Sequence, residues 1–134
     1  MFSKIALLGL ISLTATSCVT SSDVLAGSSN VALGQTANAG GPIIKPLMIL
    51  EDSRCPINAR CVRAGDVRVL VMWVRPNSKS AAGNPKIEVS LTQPAQIADG
   101  QLSLVNVSPG REAGSGKSLK PSDYRFSFKF DGGL

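Results

Sequence analysis

The sequence predicts an all-β domain: a small antiparallel β-sandwich of six to seven short strands with one short-range disulfide. Three observations carry that expectation. From Val31 onward the apolar residues recur with period two, and no segment of helix length is amphipathic. Gly, Pro, Asn and Ser interrupt the pattern at 38–42, 76–85 and 108–118, at spacings that suit short strands. Cys55 and Cys61 enclose a short ring between two apolar runs, where a bridge staples one loop.

The chain is 134 residues long, enough for one domain, and its first stretch has a different character. Residues 1–17 read as an export signal: Lys4 is the positive n-region, Ile5 to Leu13 a short apolar core, and Ala15-Thr16-Ser17 small residues before Cys18. That core is too short to span a bilayer. Ala-Thr-Ser-Cys resembles the lipobox of bacterial lipoproteins. The resemblance implies acylation of Cys18, an anchor in the membrane, and sorting to the outer membrane because Val19 follows the cysteine. The competing reading is ordinary cleavage after Val24-Leu25-Ala26, which makes the protein soluble in the periplasm or secreted. Residues 18–30 are small and polar and are expected to be a flexible tether, with the β-sandwich at 31–134.

Within the domain, 43–50 reads as a strand in which Pro46 must sit at an edge or a bulge, because proline has no N–H for a ladder. Residues 66–75 are apolar on both faces beyond Arg68, which predicts a central strand covered on both sides. Residues 86–92 alternate, with Ile87, Val89 and Leu91 on one face. Along 101–108 the apolar phase slips at Leu104-Val105, the signature of a bulge. In the last strand Tyr124, Phe126, Phe128 and Phe130 share a face. An aromatic stripe invites a stacking role, but this domain has few other large side chains, so the stripe is assigned to the core. The expected architecture is Ig-like or similar.

Composition excludes several functions. With no histidine there is no Ser-His-Asp or Cys-His nucleophile and no His-ligated zinc. The acids are too scattered for a metal cluster, and no cofactor motif is complete: Gly116-Lys117-Ser118 lacks the first glycine of a P-loop at the required spacing. Removing Lys4 with the signal leaves 13 basic and 9 acidic residues, net +4, too weak a charge to suggest nucleic acid. The chain therefore reads as non-enzymatic.

The densest chemistry lies at 51–65, Glu-Asp-Ser-Arg-Cys-Pro-Ile-Asn-Ala-Arg-Cys-Val-Arg-Ala-Gly. In an oxidising compartment Cys55 and Cys61 should be bridged; a redox-active pair would more often be CxxC opening a helix. Arg54, Arg60 and Arg63, with Asp52, are the candidate binding residues, since guanidinium groups can clamp an anion. The bland reading is solvated loop charge, partly paired with Glu51, Asp52 or Asp66. The disulfide-held loop is expected to carry function, whereas 108–121, rich in glycine, is expected to be a mobile linker.

The run Asp52-Ser53-Arg54-Cys55-Pro56, then Cys61-Val62-Arg63-Ala64-Gly65 and a valine-rich strand, resembles a set of small exported bacterial proteins with a DSRCP…CVWAG pattern. Arg63 stands where that family often has Trp. The resemblance implies an envelope compartment and a β architecture, with no established activity and no catalytic residue. The functional expectation is an envelope lipoprotein facing the periplasm that binds another envelope protein or an anionic envelope component. The alternative is a secreted protease inhibitor presenting Arg54 or Arg60 from the 51–65 loop.

Overall fold

The computed structural model describes residues 28–132 apart from 80, 115 and 117. The export signal, Cys18 and the tether as far as residue 27 lie outside the described residues. Seven strands appear: β1 (Ala37–Asn38), β2 (Ile43–Asp52), β3 (Val67–Val74), β4 (Lys86–Ser90), β5 (Ala95–Ile97), β6 (Gly100–Ser108) and β7 (Arg125–Gly132). They form two antiparallel sheets, in the orders β1-β2-β3-β4 and β5-β6-β7. Short 3-10 turns at Ala81–Gly83 and Pro121–Asp123 interrupt the connections. The architecture is the expected sandwich. Each sheet is a simple meander, unlike the Greek key of immunoglobulin domains.

The two sheets share one core. Val67, Val69 and Val71 of β3 have no exposed surface, and they face Leu102 and Leu104 of β6 and Phe126 and Phe128 of β7 in the same cluster. Burying each of those valines contributes about 2 kcal/mol. The aromatic stripe of β7 is core, as its alternation implies: Tyr124, Phe126 and Phe128 are buried, and Phe130 packs against the cluster's edge.

Both irregular strands bulge where the sequence indicates. In β2 the register slips between Pro46 and Met48, and Pro46 lies beyond the end of β1, where its carbonyl accepts from Gly34 N at 2.7 Å and no N–H is required of it. In β6 the slip falls between Leu104 and Asn106, which turns Val105 outward. The expectation for β3 needs correction. It is central in its sheet, but only one face meets the second sheet. Leu70 lies on the outer face in register with Met48 and Glu88, and Met72 there sits between Lys45 and Lys86. The aliphatic stems of lysines can cover such a methionine, so a second apolar layer is not required.

The crossing between sheets is made at Ser90, whose Oγ accepts from the backbone N–H groups of Thr92 and Gln93 and turns the chain. Thr92 then donates to Asp66 Oδ2 at 2.8 Å, tying the crossing to the start of β3.

Residues 28–30, assigned to the tether from sequence, are paired with β7. Val31 and Phe126 exchange two backbone hydrogen bonds of 2.8 Å, Phe128 N donates to Ser28 O, and Ser28 Oγ donates to Phe128 O. Apolar period gave no sign of this because the contact is made by backbone and one hydroxyl. The pairing covers part of an edge strand that would otherwise be open to other chains. It also sets a direction: upstream of Val31 the chain runs from Phe126 toward the Phe130–Gly132 end of β7, away from the 51–65 loop.

Candidate functional site

The 51–65 loop prolongs the β2–β3 ladder. Ser53 N donates to Asp66 O at 2.8 Å and Cys55 N to Ala64 O at 2.9 Å. Beyond those rungs Cys55 and Cys61 form a disulfide with Cα atoms 5.8 Å apart. The bridge belongs to an oxidising, exported environment. Gly65 makes the close approach possible. Its φ is +74°, and a Cβ there would stand 1.8 Å from Ser53 O.

Of the four candidate binding residues, the structure brings two together and leaves two apart. Arg54 forks onto Asp52, Nε to Oδ1 and Nη2 to Oδ2, both at 2.9 Å, while its Nη1 donates to Val107 O of the other sheet at 2.9 Å. Tyr124 donates its hydroxyl to Asp52 Oδ2 at 2.7 Å. The Asp52 and Arg54 side chains keep 9% and 13% of their surface exposed, so this pair is an internal latch between sheets. Arg60 and Arg63 are exposed and stand clear of it.

The charges of the latch are mutually set. Burial by itself would raise the Asp52 carboxyl, but the Arg54 guanidinium and the Tyr124 hydroxyl offset it and hold the group below its usual value. Hydrogen bonding to Asp52 raises Arg54. Burial, then the bond to Asp52, pushes Tyr124 up to about 12. Glu51 points the other way and meets Arg68, which also pairs with Glu88 on the outer face. Glu51 and Asp52 are thus on opposite sides of β2, as adjacent strand residues must be.

The two loops contrasted in the sequence are joined. Ile57 N donates to Arg111 O at 2.8 Å, and the Asn58 side-chain amide pairs in both directions with the backbone of Ala113, at 2.9 and 2.8 Å. Arg111 returns the contact, its Nη1 donating to Asp52 O and Arg54 O at 3.1 Å each. A Cβ on Gly110 would come within 2.7 Å of Ile57 Cγ2, so that glycine serves close packing. Residues 109–113 are consequently not a detached linker. A cleft of about 460 Å³ is lined by Asp52 and Tyr124 of the latch and by Arg111, Glu112 and Leu119 of the 108–121 segment.

Sequence reasoning missed Asn58, Arg111 and Tyr124 as bracing residues, since their partners lie 55 or more residues away in the chain. It also passed over Ile57 and Val62. They are respectively 70% and fully exposed, Ile57 within the disulfide ring and Val62 directly after Cys61, next in the chain to Arg63. Apolar residues in an otherwise polar loop were the available signal.

Among the described residues no three potential ligating side chains cluster as a metal site would, and every buried side-chain polar atom has a partner. No helix among them is long and apolar enough to cross a membrane. No family model, curated protein or solved structure matches this chain.

Proposed function

We propose that this chain is a non-enzymatic envelope protein whose 51–65 loop binds another envelope component. The observation that carries the reading is the outer part of that loop: Ile57 and Arg60 lie within a ring closed by a disulfide and braced against 109–113, and Val62 and Arg63 follow directly after it, with Ile57, Arg60, Val62 and Arg63 all exposed. In a domain short of large apolar side chains, two left on a rigid projection suit a contact surface. Arginine beside apolar groups is typical of the centre of a protein interface, and pre-ordering reduces the entropy lost on binding.

The finer localisation belongs to the same proposal. Acylation at Cys18 would anchor the chain in the outer membrane, facing the periplasm. The resemblance of 51–65 to small exported bacterial proteins supports the compartment. Two features count against the protease-inhibitor alternative. Arg54 is held internally, and Ala59 N bonds Pro56 O in a turn where an inhibitor needs an extended segment.

The test is affinity capture from detergent-solubilised envelopes, comparing the wild-type domain with Arg60→Gln/Arg63→Gln and with Ile57→Asn/Val62→Asn. Loss of the same captured component with both variants supports the reading; unchanged capture with both refutes it. Cys18→Ser should release the protein from the membrane fraction or block its maturation, and an intact mass beginning at Gly27 would refute the anchor.

A further inference from the structure

A second cleft lies at the other end of the sandwich, between Ile43 and Val74 at the end of one sheet and Phe130 and the Ala98-Asp99 turn of the other. We infer that it binds a small organic cation: an ammonium group on a compact apolar body. Its volume is about 280 Å³, suited to a ligand smaller than most cofactors. Trp73 and Phe130 contribute its aromatic surface, and Asp99 is the one charged residue lining it.

Four features converge on that ligand class. Trp73, the chain's single tryptophan, and Phe130 are both half-buried at the edge of the core and line this cleft, while Tyr124, Phe126 and Phe128 are buried in the core. The Trp73 ring is in cation contact within the chain, the Arg75 guanidinium carbon lying 5.1 Å from the ring centroid, so an added cation would meet the ring surface that Arg75 leaves open. Asp99 is exposed, and among the described residues its carboxylate has no ion-pair or hydrogen-bond partner, whereas nearby Asp131 is paired with Lys129. The turn that carries Asp99 is held in an unusual shape. Ala98 has a φ of +48° in a two-residue hairpin, where glycine or asparagine would fit with less strain.

The geometry behind the turn brings the carboxylate toward the ring. A Cβ on Gly100 would lie 2.1 Å from Asp131 O, so only glycine lets the hairpin close onto β7 at this point. A single point beside Gly132, where a Cβ would stand, is 3.9 Å from Asp99 Oδ1 and 3.1 Å from Phe130 Cε1. An anion would meet the carboxylate unfavourably, and a neutral apolar group would gain nothing from it. A cation with an apolar surface satisfies both the rings and the acid. This site is separate from the 51–65 loop and does not depend on the function proposed for it.

Trp73 supplies the readout. Three probes should be titrated against the intact domain by tryptophan fluorescence: choline, its neutral isostere with tert-butyl in place of trimethylammonium, and the matching tert-butyl carboxylate. Choline should bind about tenfold more tightly than the isostere at low salt, and the carboxylate more weakly still. Asp99→Asn, a substitution compatible with a turn, should erase the preference for choline, and Phe130→Leu should weaken it. Circular dichroism of each variant checks the fold. Equal binding of choline and isostere, tighter binding of the carboxylate, a preference unchanged in Asp99→Asn, or no response to any probe would each overturn the assignment.

Discussion

Tyr124 and Asp52, 72 residues apart, are joined by a 2.7 Å hydrogen bond from the phenol to the carboxylate that Arg54 also grips. The bond links the entrance of the last strand to the end of β2 and so locks one end of the sandwich. It also fixes the back wall of the cleft that both residues line, so its removal should be felt in both stability and loop order.

Asp52→Ala should therefore cost about 3 kcal/mol, because it strands the largely buried Arg54 guanidinium without its counter-charge. Tyr124→Phe should cost about 1 kcal/mol, since Arg54 still satisfies the carboxylate. Urea denaturation of the two variants checks both the order and the sizes.

The same groups set the pH dependence. The Asp52 carboxyl is depressed in the fold, so its contribution is complete above its unfolded value near 3.8 and is lost as pH falls through the lower folded value. Tyr124 is raised to about 12 from an ordinary 10.0, so its contribution is complete below pH 10 and is lost as pH rises toward 12. With no histidine in the chain, the urea midpoint should be nearly flat between about pH 6 and 9. Tyr124→Phe should remove the alkaline loss that Tyr124 causes and leave the shape of the neutral plateau unchanged.

Reducing the Cys55–Cys61 bridge should lower stability by about 2 kcal/mol while preserving a β circular-dichroism spectrum. The core strands lie outside the ring, and none of their buried side chains depends on it. Native protein should show no reaction of these two cysteines with an alkylating agent before reduction.

Asn58→Ala removes both bonds to Ala113 and so separates the tip from residues 109–113. Because Asn58 is exposed, global stability should fall by about 1 kcal/mol or less. Capture by the 51–65 loop should weaken severalfold as the tip loses its preset shape. Equal capture by wild type and Asn58→Ala would show that the brace serves stability alone.

Much of this fold was legible in the residues because alternation is a local signal. Tyr124, Phe126 and Phe128 announced a core face, Pro46 a bulge, and the Leu104-Val105 phase slip another. The outer face of β3 was legible only in part: Met72 is buried as the apolar run implies and Leu70 half-buried, but no second sheet among the described residues covers them, and the lysines beside Met72 become neighbours only through pairing. Of the candidate site, only the disulfide-closed loop itself was legible in the chain. That Arg54 would turn inward and Arg60 outward depends on Val107 and Tyr124, which no local pattern connects to it. The second cleft was invisible for the same reason: Trp73, Asp99 and Phe130 meet only once the two sheets are assembled.

The short pairing of Ser28 and Val31 with β7 has a mechanical consequence. From Val31 back to Ser28 the chain lies along the strand, running from Phe126 toward Phe128. A pull on that chain loads the bonds at Phe126 and Phe128 together, in shear, so they must break at once and cannot open one after another. Whatever force reaches the domain through its N-terminal side is thus resisted first by the outer rung of the sheet that holds the aromatic core.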